Sequence, residues 1–150
     1  MSNKYRRCVG MMILNTHNEI LVGRRLDHPS GYWQMPQGGI DENENPEEAV
    51  WREMMEEIGT NNAQLFKTSN QWVNYEIPQE TLDKLPWGET YIGQTQKWFI
   101  FKFSGQNSDI NVDTINPEFS ALQQYVIEGN GLLVIGGYDS YDNGGYKDSL

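Results

Sequence analysis

Only one cysteine, Cys8, occurs in the 150 residues, which excludes an intrachain disulfide and fits a reducing cytoplasm. Its expected role is that of a small buried apolar residue. No apolar run approaches the length that spans a bilayer, so no membrane partner is expected. The basic opening Met1-Ser2-Asn3-Lys4-Tyr5-Arg6-Arg7 leads into a short apolar segment, and a secretory signal is not expected. Cations are also scarce. Against 21 Asp and Glu stand 11 Lys and Arg, a net charge of −10. Such a chain is a poor passive binder of phosphate backbones, which argues against DNA as a partner. The two histidines, His17 and His28, have no partner motif and read as turn or loop residues.

The chain nevertheless has the makings of a core. Apolar residues make up 37% and aromatics 12%, too much for a disordered chain, and the length suits one domain spanning 1–150. Val9, Met11 and Ile13, then Ile20, Leu21 and Val22, read as two strands around the turn Asn15-Thr16-His17-Asn18. Residues 27–45 read as loop, punctuated by proline and glycine. Pro46 to Ile58 is the clearest helix: Asn45 can cap it, Pro46 suits its first turn, and Glu47 and Glu48 suit its N-terminal dipole. Gly59 can end it in a left-handed conformation, and Ala49, Val50, Met54 and Ile58 give it a buried stripe. Strands are expected at 63–68, 71–75 and 96–103, with an irregular excursion over 78–93. One mixed α/β domain accounts for this order.

Charge is concentrated where chemistry can use it. Eight acids and one base lie between Asp41 and Glu57 and carry −7 of the net −10. On the predicted helix Glu53, Glu56 and Glu57 stand at i, i+3 and i+4, so their carboxylates share a face. They are hard oxygen donors suited to Mg²⁺ or Mn²⁺. Spacing alone leaves two readings open, a metal site or a solvated helix face.

A longer pattern surrounds them. Gly38, five residues, Glu44, seven residues, then Arg52-Glu53, Glu56-Glu57 and Gly59 resembles the Nudix box, Gly-x5-Glu-x7-Arg-Glu-U-x-Glu-Glu-x-Gly-U, where U is aliphatic or similar. Met54 fills the first U position, and Thr60 departs mildly from the second. The resemblance implies a Nudix fold, a mixed β-sheet sandwiched between helices, with a loop–helix–loop that holds divalent metal against a diphosphate. It implies Glu53, Glu56 and Glu57 as metal ligands, one of them assisting deprotonation of water, and Arg52 as the group that orients them. Gly38 would let backbone reach the metal, and Gly39 the phosphates. Glu44 would either orient Arg52 or favour the helix start.

Further segments extend the likeness over residues 5–120: Tyr5-Arg6, Gly23-Arg24-Arg25, Tyr32-Trp33-Gln34-Met35-Pro36-Gln37-Gly38-Gly39 and Gly93-Gln94-Thr95-Gln96-Lys97-Trp98-Phe99. They resemble the bacterial RNA pyrophosphohydrolases and dinucleoside polyphosphate hydrolases. That group implies a nucleotide substrate, either an RNA 5′ end or a dinucleoside polyphosphate, with Arg6 and Arg25 on it, while Gln37 is read either as a substrate contact or as a packing residue. Pro117-Glu118-Phe119-Ser120 matches a segment that implies Glu118 as a further metal ligand or general base. After Ser120 the likeness stops. Residues 121–150 lack the family's Trp-rich strand and closing helix, and Leu132-Leu133-Val134-Ile135-Gly136-Gly137 reads as strand then glycine turn, weakly resembling the phosphate loop of phosphofructokinases. A nucleotide-binding module without catalysis is therefore the alternative to a hydrolase. Nothing in the pattern fixes an oligomeric state.

Overall fold

In a computed structural model, which describes residues 4–25, 33–111 and 122–126, the first strand is an inner strand of the main sheet. This strand, β1 (Tyr5–Leu14), pairs in parallel with β6 (Gly93–Phe103), a partner from much later in the chain. β4 (Gln37–Gly39) adds antiparallel to the other side of β1, and β5 (Ala63–Glu76) antiparallel to β6. The result is a mixed four-stranded sheet of order β4-β1-β6-β5. A second sheet of order β3-β2-β7 comprises β3 (Trp33–Gln34), β2 (Leu21–Arg25) and β7 (Leu122–Val126), with both partners antiparallel to β2.

The alternation of side chains along β1 and β6 decides which face is core. Val9, Met11 and Ile13 with Phe99, Phe101 and Phe103 are buried on one face. The helix α1 (Pro46–Ile58) lays Ala49, Val50, Met54 and Ile58 on that layer, the stripe expected from its spacing. Its ends form as the sequence predicts. Asn45 Oδ1 accepts from the backbone N–H groups of Glu47 and Glu48, and the Glu48 carboxylate accepts from Asn45 N, a reciprocal capping box. Gly59 closes the helix at φ 73° and donates to Met55 O. Capping of this kind stabilises a helix by about 1 kcal/mol. It also fixes where the carboxylates of the following turns project.

The expected turn forms at 15–18, with Asn15 Oδ1 accepting from His17 N and Glu19 N, and Asn18 at positive φ. Two differences from expectation stand out. The runs at 63–68 and 71–75 join into the single strand β5, because register shifts between Leu65/Lys67 and Thr68/Trp72 absorb the polar interruption. The excursion at 78–93 contains a short helix, α2 (Gln79–Leu82), followed by turns. Among the described residues no helix is long and apolar enough to cross a membrane. The apolar run at 132–135 and the glycine turn beyond it lie outside the described residues.

Candidate active site

Arg52 organises the acidic end of the site. Its Nε and Nη2 donate to the two carboxylate oxygens of Glu44 at 2.9 and 2.8 Å, a bidentate pair. Nη2 also donates to Gly39 O at 2.8 Å, while Nη1 reaches Glu53 Oε1 at 3.0 Å and Glu56 Oε2 at 3.2 Å. One guanidinium thus ties the loop before α1, strand β4 and two helix carboxylates together. Of the two sequence readings of Glu44, the contacts fit the orienting one, since the helix start is capped by Asn45 and Glu48. The hydrogen bonds from Arg52 hold the Glu44 carboxyl below its ordinary pKa, and the same bonds push the guanidinium above its own.

Glu53 and Glu57 are both buried at 5% exposure, one turn apart on the face of α1 that meets the sheet. Glu56 is half-buried beside them. Burial raises the Glu53 pKa; hydrogen bonding and charge from Arg52 oppose this, as does the charge of Arg6. Backbone room for the Glu53 carboxylate exists only because residue 38 is glycine, as a Cβ on Gly38 would overlap its carboxyl carbon and both oxygens. Beside it, a Cβ on Gly39 would overlap the Arg6 guanidinium. The two glycines therefore let a carboxylate and a guanidinium close on one edge strand from opposite faces.

The opposite face carries a polar row. Arg6 lies 5.3 Å from the centroid of the Trp87 ring, with Nη1 3.8 Å from Cys8 Sγ. The buried Cys8 thiol is pushed up to about 11 by burial, so it is a neutral thiol at ordinary pH. Gln96 Nε2 donates to Gln37 Oε1, and Tyr75 Oη donates to Gln94 Oε1. The Trp98 indole N–H is buried without a partner among the described residues.

The structure thus brings Arg52, Glu53, Glu56, Glu57, Gly38, Gly39, Arg6 and Gln37 into one region. Arg25 pairs with Leu122 at the end of β2, in the other sheet, and its side chain lies outside the described residues, as does all of Glu118. Trp87 and Gln96 were not among the sequence candidates. Gln94, Gln96 and Trp98 alternate along one strand, and that period could have grouped them on one face. Trp87 sits in a turn-rich segment whose sequence offers no such signal.

Among the described residues, no three His, Cys, Asp or Glu side chains stand in a ready ligating arrangement, because Glu53 and Glu56 both turn an oxygen to Arg52. The donor set still fits a hard divalent cation: carboxylates only, two of them buried, beside a glycine that leaves space next to one. The metal-free protein should show the cost of this crowding. Since burial raises the folded-state pKa of Glu53, its stability contribution is present at low pH and lost as pH rises through the carboxylate range. In EDTA, Glu53→Gln is expected to melt above wild type at neutral pH, the gap closing towards about pH 4. Thermal unfolding across that range checks it, and a variant melting below wild type at neutral pH would contradict the sign.

The NUDIX domain family model matches residues 4–128. An RNA pyrophosphohydrolase of Rhodospirillum rubrum is 53% identical over 117 residues, covering 78% of this chain and 70% of that protein. The RNA pyrophosphohydrolase of Rickettsia typhi is 50% identical over 115 residues, covering 77% and 71%. Among solved structures, the E. coli dihydroneopterin triphosphate pyrophosphohydrolase matches with a TM-score of 0.62 at 20% identity, covering 83% of each chain, a likeness of fold.

Proposed function

The chain belongs to the Nudix family and is a pyrophosphohydrolase, and from that premise we propose that it removes pyrophosphate from 5′-triphosphorylated RNA in a Mg²⁺-dependent reaction. The observation that carries this reading is the placing of the buried Glu53 carboxylate and the guanidinium of Arg6 on either side of the two glycines of β4. Acids able to hold a cation and a base able to hold a phosphate then meet at one strand edge. The relatives named RNA pyrophosphohydrolase support RNA as the substrate. The cytoplasm, where such RNA ends arise, is the proposed compartment.

In this reading Glu53, Glu56 and Glu57 hold Mg²⁺, or Mn²⁺ in its place, with Glu118 as a further ligand. The bound metal would neutralise charge on the phosphates and supply hydroxide near neutral pH. Arg52 holds Glu53 and Glu56 in place and is itself braced by Glu44 and Gly39 O. Arg6, stacked on Trp87, grips phosphate oxygens with its fork, and Gly39 lets backbone approach them. Gln37 orients the nucleotide together with Gln96. Arg25 would add a second guanidinium.

The test is product analysis with 5′-triphosphorylated RNA and with diadenosine tetraphosphate, each with and without Mg²⁺. Metal-dependent release of pyrophosphate from RNA is expected. Cleavage of the dinucleotide alone would reassign the substrate. Nucleotide binding with no product from either would favour the non-catalytic module.

A further inference from the structure

Arg7 and Lys97 converge on one indole outside the site just described. The Arg7 guanidinium lies 4.9 Å from the centroid of the Trp72 ring and Lys97 Nζ lies 6.0 Å from it. Neither cation forms an ion pair among the described residues, although the chain carries a net charge of −10. Among the described residues Lys97 Nζ donates only to the backbone oxygen of Asn70, at 3.3 Å. The nearest acid along β5, Glu76, accepts from Tyr5 Oη at 3.3 Å instead. Two like charges held together by an aromatic face, with no counter-ion among the described residues, form a site for an anion.

The sheet register says where that anion lies. Gly38 is opposite Val9, Val9 opposite Lys97, and Lys97 opposite Trp72, one row across all four strands. Paired residues share a face, so Lys97 and Trp72 project on the side where Glu53 overhangs Gly38. Three strand spacings separate Gly38 from Trp72, about 14 Å. A stacked strand advancing about 3.4 Å per nucleotide covers that span in about four nucleotides.

We propose that Arg7 and Lys97, held by Trp72, form a second phosphate site that takes the RNA backbone a few nucleotides downstream of the 5′ end. This rests on the RNA reading above and deepens it, since a mononucleotide or a very short RNA places no phosphate there. Trp72 is a positioning residue in this arrangement. The two cations are specificity determinants that measure the length of the substrate.

The experiment compares wild type with the Arg7→Gln/Lys97→Gln double variant on two triphosphorylated RNAs, a dinucleotide and a strand of about ten nucleotides. Affinity for the longer strand bearing a 5′-monophosphate, read by fluorescence anisotropy, is measured alongside over a range of salt. Losing two phosphate contacts should raise KM for the long RNA about tenfold and reduce the salt slope of log Kd by about 1.4. KM for the dinucleotide and kcat for both should stay at wild-type values. Equal changes for both lengths, or none, would overturn the site. If wild type releases pyrophosphate from neither RNA, the substrate reading fails by itself, and the anisotropy still decides the site: an unchanged salt slope overturns it.

Discussion

Glu57→Gln should lower kcat by about 10²–10³-fold while leaving KM and the fold nearly intact. Glu57 is 5% exposed on the buried side of α1, and glutamine has its shape without its charge. Packing against the sheet is therefore kept, and only the anionic donor is lost. A structural role would give the opposite pattern, a falling melting temperature with turnover preserved among folded molecules. Steady-state pyrophosphate release, with circular dichroism as the control for folding, separates the two. Turnover at wild-type levels would remove Glu57 from the proposed metal site.

The second large effect is expected at Gly38, through space rather than charge. Among the described glycines only Gly59 has positive φ, so Gly38→Ala strains no backbone. Its methyl group instead occupies the position of the Glu53 carboxylate, which must swing away and give up its bond from Arg52. A fall in kcat of about 10–100-fold is expected, the size seen when groups orienting a metal ligand are disturbed. The melting temperature should move by only a few degrees. Gly39→Ala supplies the contrast. Its methyl meets the Arg6 guanidinium, so the loss should fall mainly on KM. Identical kinetic defects in the two variants would show that the edge strand does not separate a metal side from a phosphate side.

Local interactions explain what could be read from the sequence. The helix Pro46–Ile58 was legible to its caps because Asn45, Pro46, Glu48 and Gly59 each act within a few residues of their own position. The carboxylate face of Glu53, Glu56 and Glu57 followed from helical period alone. Contacts between distant parts of the chain were not legible. Arg6 meets Trp87 of a distant turn, while Gln37 meets Gln96 and Arg7 meets Trp72 across strands, and no local pattern encodes any of the three. Alternation alone divides β5 into two strands, because its register shifts tolerate a polar interruption that alternation forbids. The proposed roles of Arg25 and Glu118 depend on atoms outside the described residues, and for them the family resemblance stands without geometry.

The parallel pairing of β1 with β6 also governs how the protein can be made. Tyr5 pairs with Gly93 and Leu14 with Lys102, so the central seam of the main sheet joins residues that leave the ribosome far apart in time. At about 5–20 residues per second, several seconds pass between synthesis of β1 and of its partner. During that interval Val9, Met11 and Ile13 have no β6 beside them, and the apolar stripe of α1 has only part of its floor. Nascent chains arrested before Phe103 should be sensitive to protease and bind chaperones, and those extended past it should become protected together. The order of synthesis thus makes assembly of the catalytic helix on its sheet a late event.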